Sequence, residues 1–106
     1  MESQIDPQVA MQSLKESGKL FLEVFSHGTL SVEIYKPDRI DLQQPHERDE
    51  VYVVISGTGT FFNEGTRATF QPGTFLFVPA GAEHRFEDFT DDFSTWVFFY
   101  GPQGGE

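Results

Sequence analysis

Cysteine is absent from the 106-residue chain. Disulfides, thiolate metal sites and cysteine nucleophiles are therefore excluded. Basic residues are scarce: seven Lys and Arg stand against 17 Asp and Glu, for a formal net charge of -10. Binding to nucleic acid needs clustered cations that neutralise phosphates, and an anionic membrane surface attracts the same side chains, so neither partner is expected. No apolar stretch approaches the roughly 20 residues of a membrane span. The start, Met1-Glu2-Ser3-Gln4, lacks the basic region and apolar core of a signal peptide. The expectation is a soluble, cytoplasmic protein.

What the chain does hold is aromatic bulk. Twelve Phe, three Tyr and one Trp accompany a charged content of only 23%, a globular composition and not a disordered one. The length suits one domain, and folding such a chain removes about 60–70% of its unfolded surface.

Residues 1–19 read as a helical segment. Asp6 is a good N-cap, Pro7 suits the first helical position, and Gly18 can cap the end. Val9, Ala10, Met11 and Leu14 give a weak apolar face. From Leu20 the pattern switches to period two, with runs rich in Val, Ile, Phe, Thr and Tyr between turn signals. The spacing predicts strands near Leu20–Phe25, Thr29–Lys36, Ile40–Gln44, Glu50–Ser56, Gly59–Asn63, Thr66–Phe70, Thr74–Val78, His84–Asp88 and Phe93–Tyr100. Many short strands without intervening helices indicate an all-β sandwich, jelly roll or closed barrel over residues 20–102. Residues 103–106 read as a loose tail.

Alternation along a strand assigns side chains to faces. If Ile40 and Leu42 face the core, Gln44 and His46 share that face, while Asp41 and Gln43 turn to water. Glu50 shares a parity with Tyr52 and Val54 on a strand that is apolar on both sides, and an unpaired carboxylate there costs several kcal/mol. His84 and Phe86 face inward, opposite Arg85 and Glu87. Two imidazoles and one carboxylate are the donor set of the facial triad that suits Fe(II) and similar divalent ions. Periodicity leaves another reading open, in which the histidines are hydrogen-bonded core residues and Glu50 pairs with Arg48 or Arg67.

The spacing adds to this. Gln44-Pro45-His46-Glu47-Arg48-Asp49-Glu50, followed by six residues to Gly57, resembles the first motif of the cupin family, His-x-His, three or four residues, Glu, six residues, Gly. Gly73, five residues, then Pro79-Ala80-Gly81-Ala82-Glu83-His84, resembles the second. Gln44 stands where a first His is usual, and Asp88 where a final Asn is usual. The resemblance implies an all-β cupin jelly-roll barrel with a short N-terminal helix. It implies a divalent transition metal ion (Fe, Mn, Ni or Zn) on His46, Glu50 and His84, with Gln44 as a weak fourth donor; the Asp88 change concerns a turn.

Three functional classes are compatible with this pattern. The leading one is a metal-dependent cupin that acts on a small chelating organic molecule, as a dioxygenase or an isomerase. A second is a non-catalytic small-molecule binding or regulatory cupin. A third is a metal-free barrel that binds a sugar through Gln44 and Glu50. Tyr52, Phe86, Trp96 and Phe98 are candidates for the pocket lining, although aromatic residues also serve as plain core. The two-sided apolar strand Val51–Ile55 and the Phe-rich strands, together with the resemblance, predict a homodimer with strands near Leu20–Lys36 at the interface.

Overall fold

In the computed structural model, which describes residues 4–106, one helix precedes eight strands. Met1 to Ser3 of the expected helical segment lie outside the described residues. Helix α1 spans Pro7–Ser17. The Asp6 carboxylate accepts from the Gln8 amide at 2.7 Å, a cap worth about 1 kcal/mol. Gly18 ends the helix in the left-handed region at φ 71°. Ala10 and Leu14 are buried, whereas Val9 points to solvent, 64% exposed.

The strands are β1 (Phe21–His27), β2 (Leu30–Tyr35), β3 (Asp49–Ser56), β4 (Gly59–Asn63), β5 (Thr66–Phe70), β6 (Phe75–Val78), β7 (His84–Glu87) and β8 (Ser94–Tyr100). They form two antiparallel sheets, a five-stranded one ordered β1-β2-β8-β3-β6 and a three-stranded one ordered β5-β4-β7. The all-β, jelly-roll expectation with a short N-terminal helix is met.

The space between the sheets is filled by aromatic rings. Phe86 sits at its centre, with ring centroids of Phe93 at 4.6 Å, Phe61 at 4.7 Å, Tyr52 at 4.9 Å and Phe70 at 5.4 Å. Tilted and edge-on geometries of this kind add to the hydrophobic term. A second, smaller cluster lies on the outer face of the larger sheet, where Ala10 and Leu14 of α1 pack on Ile34, Leu22, Val24, Ile55 and Trp96. The sheet is thus buried on both faces where the helix lies.

One expected strand is missing. Residues 40–46 are irregular, not extended pairing chain. Arg39 has φ 68°, a left-handed conformation that interrupts the run, so period-two reading no longer assigns faces beyond it. Ile40 and Leu42 are exposed at 61% and 74%, and Asp41 is buried instead. The Asp41 carboxylate accepts from the Tyr35 hydroxyl at 2.6 Å, the Phe86 amide at 2.8 Å, and the Gln43 backbone and side-chain nitrogens at 3.2 and 2.9 Å. Multiple donors compensate the desolvated charge, and the segment is oriented by that carboxylate, not by its apolar residues.

Two turns explain residue choices. Gly57 has φ 85°, and a Cβ there would lie 2.5 Å from the Phe93 Cα, so only glycine fits. Asp88 adopts φ 49°, a region that Asp and Asn enter more readily than most side chains, consistent with its expected turn role. The tail is hydrogen-bonded to the barrel: the Gly104 amide donates to the Glu47 carbonyl at 2.6 Å, and the Glu106 amide to the Asp49 carboxylate at 2.9 Å.

Candidate metal centre

Strand alternation turns Glu50, Tyr52 and Val54 of β3 inward, and all three are buried. On β7 it turns His84 and Phe86 inward, while Arg85 and Glu87 face out and pair at 3.0 Å. The parity reading of these two strands holds. His46 arrives differently, from the irregular segment, held by the Gly81 amide, which donates to the His46 carbonyl at 2.7 Å. Its ring is half-buried and meets the edge of Phe99 at 5.1 Å.

The three side chains converge. One ligand atom from each of His46, Glu50 and His84 lies within 4.8 Å of the others. Glu50 Oε1 is 2.9 Å from His46 Nδ1 and 3.0 Å from His84 Nε2. His84 Nδ1 is 3.0 Å from the Ala82 carbonyl. A carbonyl only accepts, so Nδ1 carries the proton and Nε2 is the nitrogen directed at Glu50. Backbone support of this kind fixes the tautomer and ring plane of metal-binding histidines.

The remaining oxygen of the carboxylate decides what the cluster is short of. Glu50 Oε2 is fully buried and has no hydrogen-bond partner among the described residues. Leaving a buried carboxylate oxygen unpaired costs free energy, and a cation beside it removes that cost. Burial pushes the Glu50 carboxyl up, but the hydrogen bonds and positive charge of His46 and His84 outweigh it and hold the group below its usual range. Burial works against charge on His84 as well, yet the Glu50 and Ala82 partners raise its affinity for a proton. The cluster therefore favours a carboxylate facing positive charge, whether that charge is a proton or a metal ion.

Other expected site residues are distributed differently. Gln44 is exposed, and its neighbour Gln43 faces inward, accepting from the Tyr52 hydroxyl at 2.9 Å. The Tyr52 oxygen is in turn 3.1 Å from His84 Nε2. Tyr52 and Phe86 are buried in the aromatic core between the sheets. Trp96 and Phe98 are not: Trp96 packs under α1 on the outer face, and Phe98 shares its parity on β8. The inward residues of that strand are Thr95, Val97 and Phe99. Glu33 of β2 is also half-buried on the inner side, paired with Val97. It shares its parity with the buried Tyr35, a signal present in the sequence. Burial, then the charge of Glu23, raise its carboxyl, while His46 lowers it and Glu50 raises it further.

Comparison with known proteins bears on the family and the fold. The family model described as "Cupin domain" matches residues 31–100. The chain belongs to the cupin family. An uncharacterized protein of Streptomyces coelicolor is 32% identical over 85 residues, which cover 78% of this cupin and 81% of that protein. Among solved structures, protein NMB1881 from Neisseria meningitidis is similar with a TM-score of 0.73 at 17% identity, covering 93% of this chain and 100% of the other. KdgF from Halomonas sp. is similar with a TM-score of 0.66 at 22% identity, covering 77% and 80%. At these identities the structural likeness speaks for the fold alone. No helix among the described residues is long and apolar enough to cross a membrane.

Proposed function

We propose that this cupin binds a divalent transition metal ion (Fe, Mn, Ni or Zn) through His46, Glu50 and His84, and uses it to hold and act on a small chelating organic molecule. The observation that carries the proposal is the buried, unpartnered Glu50 Oε2 beside two imidazoles. Neutral imidazole nitrogen with one carboxylate is a donor set suited to such ions and leaves coordination positions open. A bound ion of this kind supplies Lewis acidity toward chelated oxygen atoms, or redox chemistry where the metal is iron. The protein's own part is positional. The Ala82 carbonyl fixes the His84 ring, the Gln43–Tyr52 hydrogen bond places a hydroxyl beside it, and Phe61, Phe86 and Phe99 keep bulk water from the inner side. Glu33 is available at the interior face to accept from a hydroxyl or amine of the ligand.

Untagged protein should contain the metal on elemental analysis, or take it up on titration with Fe(II), Mn(II), Ni(II) or Zn(II). Protein that neither contains nor takes up any of the four overturns the reading and returns His46 and His84 to a structural role. Turnover against a panel of chelating diols, enols and hydroxy acids then distinguishes a dioxygenase or isomerase from a binding or regulatory cupin.

The same proposal includes a homodimer. Phe21 on β1 and Phe75 and Phe77 on β6 are exposed at 54%, 64% and 43%, and β1 and β6 are the edge strands of the larger sheet. Exposed aromatic side chains on open edges are commonly covered by association. Light scattering should give twice the 12.0 kDa chain mass.

A further inference from the structure

A cavity of about 1040 Å³ opens between α1 and the far end of the barrel. It is separate from the metal centre. Both touch β3, but Glu50 is the second residue of that strand whereas Ile55 and Ser56, which line the cavity, end it. At about 3.3 Å per residue the two lie roughly 20 Å apart.

The apolar wall is made by Met11 and Leu14 of α1, Leu20, Pro37, Ile55 and Phe89. Over it stand Lys15, Lys19, Lys36 and Arg39. The chain has only seven Lys and Arg in all, and every one of its three lysines is at this groove. Asp38 and Asp91 also line it, so four cations meet two carboxylates, an excess of two positive charges in a protein whose net charge is -10. Elsewhere the basic residues are occupied: Arg67 and Arg85 pair with Glu87, and Arg48 donates to the Gly101 and Thr29 carbonyls. Among the described residues none of the three lysines has a carboxylate partner; Arg39 lies 3.7 Å from Asp38. Lys36 is held in place without being neutralised, because its ammonium donates to the Asp91 and Phe93 carbonyls.

We propose that this groove is a binding site for a small amphipathic organic anion, an apolar body carrying a carboxylate, with the body against Met11, Leu14 and Ile55 and the carboxylate toward the lysines. Small-molecule sites are concave, mostly apolar and carry a few convergent polar groups, with volumes of about 300–1,000 Å³. This groove has that make-up, and its size suits one small molecule better than an extended peptide. Within an acidic protein, a local positive field selects an anion and excludes a cation of the same shape. The inference stands on the groove alone and does not depend on the metal centre.

The experiment uses the 106-residue chain and three probes with an unbranched ten-carbon chain, decanoate, decanol and decyltrimethylammonium, competing with the fluorescent anion anilinonaphthalene sulfonate. Decanoate should displace the dye, and decanol and the ammonium should do so far less well. Amide signals of Ile55, Ser56 and Phe89 should shift on adding decanoate. The exposed pair Lys15→Glu and Lys19→Glu together should weaken decanoate binding roughly tenfold or more, with circular dichroism confirming the fold and the Lys15→Ala/Lys19→Ala pair as a milder variant. Equal displacement by decanol, wild-type affinity in both lysine variants, or amide shifts confined to other regions would each overturn the proposal.

Discussion

Glu50 at the start of β3 and Ile55–Ser56 at its end belong to one strand, yet their surroundings are built on opposite principles. At the first end charge is buried, and every ionisable group is defined by its partners: Glu50 Oε1 faces two imidazoles, and His84 is fixed by a carbonyl. At the second end charge is open to solvent, carried by lysines without carboxylate partners among the described residues, above an apolar wall. The contrast teaches that a net charge of -10 says little about local fields. Four of the seven basic residues, all three lysines among them, line one groove, and binding responds to the local sum.

The comparison is broken most directly at the Glu50 end. Glu50→Ala should lower metal uptake by more than about 100-fold, since losing a direct ligand exceeds the 10–100-fold typical of a supporting residue. The metal-induced rise in melting temperature should vanish with it. His84→Ala should behave alike, and wild-type uptake in both variants would remove these residues from the site.

At the other end the largest effect belongs to the backbone. Gly57→Ala forces a Cβ to 2.5 Å from the Phe93 Cα at φ 85° and should cost roughly 3 kcal/mol or more. Gly65→Ala, at φ 86° with open space around it, should cost only about 1 kcal/mol. Denaturant titration separates the two. Equal losses would show that conformation, not the close approach to Phe93, dictates glycine at 57.

Gln43 and Gln44 give a smaller effect and a sharper one. Gln43→Ala leaves the Tyr52 hydroxyl without its acceptor and should cost about 1–2 kcal/mol, while Gln44→Ala, on the exposed side, should stay within about 0.5 kcal/mol. Gln44→His should leave metal affinity unchanged, although the family pattern has His there. A tighter site in Gln44→His would mean that the 40–46 segment turns over when metal binds.

The smallest effect is at Glu33. Its carboxyl is raised above 4.5 by burial first and by Glu23 second, so the folded protein holds this proton more tightly than the unfolded chain. The stability it contributes is full below about pH 4.5 and is lost as pH rises through the folded-state value. In chelator-treated protein Glu33→Gln should therefore melt slightly higher than wild type at pH 7, with the difference closing below about pH 4.5. A gap that widens on acidification would contradict the assignment.

Sequence alone determined eight of the nine expected strands and the inward faces of Glu50 and His84. Glu50 and His84 sit in strands whose apolar parity is unbroken, and period two is a local property of extended chain, so their faces could be read directly. The motif spacing then added His46 to the candidate cluster and pointed to the cupin barrel. Tertiary structure decided the rest. Arg39 leaves the extended region and Asp41 collects donors from β2 and β7, so the faces of residues 40–46 follow from long-range hydrogen bonds that no periodicity encodes. Trp96 could be read as aromatic but not as lying under α1, because which face of a two-sided apolar strand meets the helix depends on packing. The gathering of all three lysines at one groove was equally invisible, since residues 15, 19 and 36 become neighbours only when α1 docks on the sheet.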